Sequence, residues 1–84
     1  MLTKEVVIDR VEVTELGAVQ VRRATWILED GVRMGAPNYH RVAYEPGAAI
    51  ADEAPLVRAI AGVVWTPEVI AAHQARKAAA AARQ

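Results

Sequence analysis

Two hydrophobic periods divide the chain. As far as Tyr44, apolar and polar positions alternate with the period of two expected of half-buried strands, and from Asp52 onward apolar residues recur at helical spacing within Ala-rich sequence. In Thr3–Thr14 the alternation sets Val7, Val11 and Val13 on one face with Asp9 among them, and Ile8 on the other with Arg10 and Glu12. This predicts a strand. Glu15-Leu16-Gly17 supplies a glycine where a tight connection is wanted. Ala18–Leu28 then alternates Val19, Val21, Thr25 and Ile27 against Gln20, Arg22 and Trp26, so the two segments should form a hairpin. Glu29-Asp30-Gly31 is the strongest turn signal, because Asp and Gly suit consecutive turn positions and Gly accepts positive φ without steric cost. A return strand follows at Val32–Met34. After Gly35-Ala36-Pro37-Asn38, Tyr39–Tyr44 sets Tyr39, Arg41 and Ala43 against His40, Val42 and Tyr44. Gly35 and Pro37 permit a bulge or a loop equally, so the meander has three strands or four.

The second half reads as two helices. Asp52 can cap the first, Pro55 falls in its tolerated first turn, and Leu56, Val57, Ile60, Val63 and Val64 form a stripe predicted to cover the sheet. Trp65 closes that segment. Thr66-Pro67-Glu68 then combines a cap, a proline at the first helical position and a favourable charge in the first turn, a strong start signal for the second helix. Val69 and Ile70 are the last large apolar residues. Beyond them Ala keeps the sequence helical by propensity alone, which predicts a solvated helical tail over residues 76–84 or one packed on another chain. The fold class is α+β: a small antiparallel meander of three to four strands within residues 1–50, followed by two C-terminal helices within 51–84, in one domain.

Composition makes that domain a marginal one. Its 84 residues leave room for one modest core, and the 54% apolar fraction overstates it because much is Ala and Phe is absent. Chains this small commonly gain stability from disulfides, metals or association. The absence of Cys removes disulfides and thiolate metal sites, which leaves association and predicts a homo-oligomer. Ten basic and ten acidic residues cancel, so no global field draws the chain to nucleic acid or an anionic membrane. The first nine residues lack a basic leader followed by an apolar stretch, and nothing approaches a membrane span, so no membrane partner is expected.

No catalytic pattern is visible. His40 and His73 belong to no metal-ligand spacing, and the acidic pairs Glu29-Asp30 and Asp52-Glu53 are explained by a turn and a helix start. Serine and cysteine nucleophiles are excluded outright, because the chain contains neither residue. The reading is therefore of a non-enzymatic protein without cofactors. A basic, aromatic sheet surface could be assembled from Arg22, Arg33 and Arg41 with Trp26 and Tyr39, able to stack single-stranded bases. Against this, the first fifty residues carry seven acids to six bases, and cross-strand ion pairing is the simpler expectation. The candidate interaction residues are Trp26, Tyr39 and Arg41 on the sheet, and Arg76, Lys77 and Arg83 on the tail.

The segments VQVRRATWILEDG, YHRVAYEPG and VVWTPEVIAA resemble those of small uncharacterised proteins encoded in the tail and late-gene modules of tailed double-stranded DNA phages and prophages. The resemblance spans Lys4 to Ala75 and is most specific at Glu29-Asp30-Gly31, Tyr39-His40-Arg41, Pro46-Gly47 and Trp65-Thr66-Pro67-Glu68-Val69. It brings no catalytic role. It implies a structural protein of the virion, in the tail or adsorption apparatus, assembled in the host cytoplasm and contacting other phage structural proteins. The alternative it leaves is an assembly chaperone or adaptor that binds another phage or host protein.

Overall fold

A computed structural model, which describes residues 1–82, places three antiparallel strands in the order β1 (Leu2–Val13), β2 (Val19–Glu29), β3 (Val32–Tyr44). Two helices follow, α1 (Pro55–Val64) and α2 (Pro67–Ala82). The α+β meander expected from the alternation is thus present, with three strands. Asp30 and Gly31 both adopt positive φ, 50° and 84°, between the paired ends Glu29 and Val32. That conformation matches the twist of the flanking strands and closes the second hairpin in two residues. The first hairpin closes through Gly17 at φ 90°, whose N–H returns to the Thr14 carbonyl at 3.0 Å.

Two irregularities set which residues face the helices. In β1, Ile8 pairs with Arg23 and Arg10 with Arg22, so Asp9 is an extra residue and the alternation changes phase there. Ile8 and Val11 consequently both pack on the core beneath the helices, whereas Val7, opposite Ala24, lies on the other face. The strict period of two had put Val7 with Val11, and the bulge overturns it. In β3, Thr25 of β2 pairs with Asn38 and Ile27 with Met34, so Gly35-Ala36-Pro37 all stand opposite Trp26. Val32–Met34 and Tyr39–Tyr44 are therefore one bulged strand.

The core is small. Val19 and Val21 of β2 meet Val57 and Ala61 of α1, all essentially inaccessible, with Ile8, Val11, Tyr44, Ile50 and Trp65 packed around them. The apolar stripe read for α1 is displaced: Val57 and Ala61 are buried, while Leu56 and Val63 are 54% and 79% exposed. Small Ala61 lets the helix approach the sheet closely, and this rotates Leu56 and Val63 outward. The helix start also differs, since Ala54 occupies the cap without a side-chain hydrogen bond and Asp52 lies in the preceding turn. The acid that matters is Glu53, whose carboxylate accepts the Ala54 N–H at 3.0 Å.

The Thr66 start signal is realised: Val69 N–H donates to Thr66 Oγ1 at 3.3 Å and Ile70 N–H to the Thr66 carbonyl at 3.0 Å. α2 buries none of its residues fully. It is held near its start, where Val69 lies against Gly17 and Ile70 against Gly47, and Trp65 Nε1 donates to the Gly17 carbonyl at 2.7 Å. No single helix among the described residues is long and apolar enough to cross a membrane, and α1 and α2 meet at an 82° bend.

Candidate functional site

The face of the sheet turned away from the helices gathers the three sheet residues anticipated from sequence. Side chains of directly opposed residues share a face. Arg22 pairs with Arg41 and Ala24 with Tyr39, while Trp26 lies one alternation further along β2. Trp26, Tyr39 and Arg41 therefore stand in one array with Arg10, Arg22 and Arg33. Ala24 lies within the same face and is 1% exposed, which makes it the one fully buried side chain on this side of the sheet among the described residues.

Three carboxylates answer the four arginines of the array. The Asp9 bulge presents its carboxylate to Arg22, which donates from Nε at 3.0 and 3.1 Å and from Nη2 at 2.6 Å. This pairing holds the Asp9 carboxyl below, and the Arg22 guanidinium above, their ordinary ranges. Arg33 Nε donates to Glu5 at 2.9 Å. Arg10 and Arg41 both approach Glu12 Oε1 at 3.6 Å. Each aromatic ring also carries a guanidinium, with Arg22 Cζ 4.2 Å from the Tyr39 centroid and Arg33 Cζ 4.7 Å from that of Trp26. These are cation–π distances. The cross-strand ion pairing expected from the interspersed acids is what this face displays.

Arg76 and Lys77 are not part of it. They diverge on α2: Arg76 lines a cleft of about 420 Å³ with Leu16, Val69 and Ala72, and Lys77 borders one of about 490 Å³ with Glu45, Ile70 and His73. Within the second cleft His73 Nδ1 stands 3.8 Å from Glu45. Arg83 lies outside the described residues.

A polar junction that sequence reading missed sits on the helix side. Arg23 and the Tyr44 hydroxyl both donate to the Glu53 carboxylate, whose side chain is only 8% exposed. The arginine, then the phenol, lower the Glu53 carboxyl to about 2, and the carboxylate raises the Tyr44 phenol. Arg23 was legible as an inward position of β2, since it shares parity with Val21 and Thr25, but nothing in the sequence named its partner thirty residues on. The junction ties the sheet to the segment leading into α1, and its three side chains line a cavity of about 290 Å³ together with Ile50 and Asp52. Among the described residues, no three His, Asp or Glu side chains converge as a metal site.

The fold and the two faces define a small meander with a helical cover on one end of one side. No protein-family model matches the chain, and neither curated proteins nor solved structures give a match to it.

Proposed function

We propose that the chain is a non-enzymatic structural component of a phage tail or adsorption apparatus, working through protein–protein contacts. The observation that carries this reading is the mismatch between sheet and cover. The strands run 11 to 13 residues, but the buried core involves only the half of β2 around Val19 and Val21. Beyond Arg23 the helix-side face continues as Val6, Ile27 and Met34, which are 55%, 43% and 46% exposed. A chain built to function alone gains nothing from such surface, whereas a repeated module buries it between neighbours. The resemblance to tailed-phage late-gene proteins gives the setting.

Single-stranded nucleic acid fits the opposite face less well, because a guanidinium already lies over each ring and Glu5, Asp9 and Glu12 answer the arginines. Quantitative mass spectrometry of purified particles from the encoding phage or prophage tests the proposal. A fixed copy number per particle is expected. Absence from particles whose assembly nevertheless requires the chain would replace the structural role by that of an assembly chaperone or adaptor.

A further inference from the structure

The uncovered half of the helix-side face is broader than the three residues just named. The pairings Leu2 with Glu29, Lys4 with Ile27 and Val6 with Thr25 in β1–β2, and Glu29 with Val32 and Ile27 with Met34 in β2–β3, place all of these side chains on it. Leu2 and Val32 are 69% and 62% exposed. Five aliphatic or thioether side chains, Leu2, Val6, Ile27, Val32 and Met34, thus expose on the order of 400 Å² of apolar surface on one continuous stretch. That lies in the range of the largest patches on monomers, roughly 300–600 Å², which are often functional.

We propose that a second copy of this chain covers this stretch, the two sheets packing face to face about a two-fold axis; the inference rests on the contact-module reading given above. Three observations select this occupant. The first is charge. The ionisable groups within the stretch are Lys4 and Glu29, opposite in sign, on adjacent strands, and neither takes part in an ion pair among the described residues. A two-fold interface must be self-complementary, so Lys4 of one copy can meet Glu29 of the other twice over.

The second is area. With Lys4, Thr25, Glu29 and Asn38 included, two such stretches bury roughly 1,000–1,400 Å² in total, at the lower end of the 1,200–2,000 Å² typical of specific interfaces. The third is that the sheet edges are poor alternatives. β1 is interrupted by the Asp9 bulge and β3 by Gly35-Ala36-Pro37, with Pro37 lacking an N–H donor. Bulges, prolines and charges are the devices that keep edge strands from adding partners, so the face is left as the adhesive surface. Sheets packed this way lie about 10 Å apart with their side chains interdigitated.

Sedimentation equilibrium of the full chain at 1–100 µM, with circular dichroism to verify folding, tests the proposal. The expected result is a monomer–dimer equilibrium that Ile27→Glu shifts at least 30-fold toward monomer. Lys4→Glu and Glu29→Lys should each weaken the dimer about 5- to 10-fold, and the double variant should return it to within about 3-fold of the parent. Both charge positions are exposed and remote from the core, so these variants remain informative if Ile27→Glu misfolds. A parent chain monomeric at 100 µM overturns the proposal, as does a dimer indifferent to the charge swap. The particle measurement separates this from the broader reading. A monomer found at fixed copy number in particles, and lost from them on Ile27→Glu, would put a different structural protein on the same face.

Discussion

Glu53 offers the sharpest quantitative test of how the sheet and helices are joined. Its carboxylate accepts from Arg23, from the Tyr44 hydroxyl and from the Ala54 N–H, so replacing it by Gln removes the charge while nearly conserving shape. Holding the carboxyl at about 2 instead of 4.5 corresponds to an upper bound of about 3 kcal/mol at neutral pH. Arg23 is 27% exposed, so water screens part of the pairing and about 2 kcal/mol is the expected loss. For a domain whose total stability is on the order of 4–12 kcal/mol, that lowers the melting temperature by roughly 8–16 °C. The pH dependence has a definite sign. A carboxyl whose folded value lies below its unfolded one contributes its stability above about 4.5, and that contribution disappears as pH falls through about 2. The parent and Glu53→Gln should therefore differ most at pH 6–7 and converge toward pH 2. Asp9 is also lowered by its arginine, but it is present in both chains and drops out of the difference. Thermal melts followed by circular dichroism between pH 7 and pH 2.5 measure the gap. Melting temperatures that coincide at pH 7, or a gap that stays constant down to pH 2.5, would refute the assignment of Glu53 as the charged link.

Four further variants probe the packing around α2, one of them as a control at the second hairpin. Gly17→Ala should cost about 2 kcal/mol, because its φ of 90° disfavours a side chain and an added Cβ would stand 2.7 Å from Val69 Cγ1. Gly31→Ala, at φ 84° with open space around it, should cost about 1 kcal/mol, so paired urea titrations isolate the α2 contact. Trp65→Phe keeps most of the ring but orphans the Gly17 carbonyl, with an expected loss of about 1–2 kcal/mol by the same titration. A chain ending at Ala75 should melt within about 2 °C of the parent, since residues 76–82 are all exposed.

What the sequence made legible follows from which forces are local. The Asp30-Gly31 turn, the Thr66-Pro67 start and the inward parity of Val19, Val21 and Ile27 depend on residues within a few positions of one another, and each is realised. The grouping of Trp26, Tyr39 and Arg41 on one face was also local, a matter of parity within two strands. What escaped depended on partners distant in sequence. The phase change at Asp9 accompanies a pairing with Arg22, thirteen residues away. The rotation of α1 reflects Ala61 seating against Val19 and Val21, and propensity patterns favour the larger Leu56 and Val63.

The bulge in β1 also shapes the surface available for assembly. By shifting β1 at Asp9, the chain places Ile8 and Val11 together under the helices and still keeps Leu2, Lys4 and Val6 on the same side beyond them. The helix-side face is therefore apolar at the buried core and again at the exposed tip, with Arg23, Thr25, Asn38 and His40 crossing it between the two, and the helices cover only the core end. A partner seated at the tip binds the folded sheet and not the unfolded chain. Association and folding stability are therefore coupled, and the melting temperature should rise with protein concentration over 1–100 µM. A melting temperature independent of concentration would mean that no second copy binds the folded tip in this range and would refute the interface.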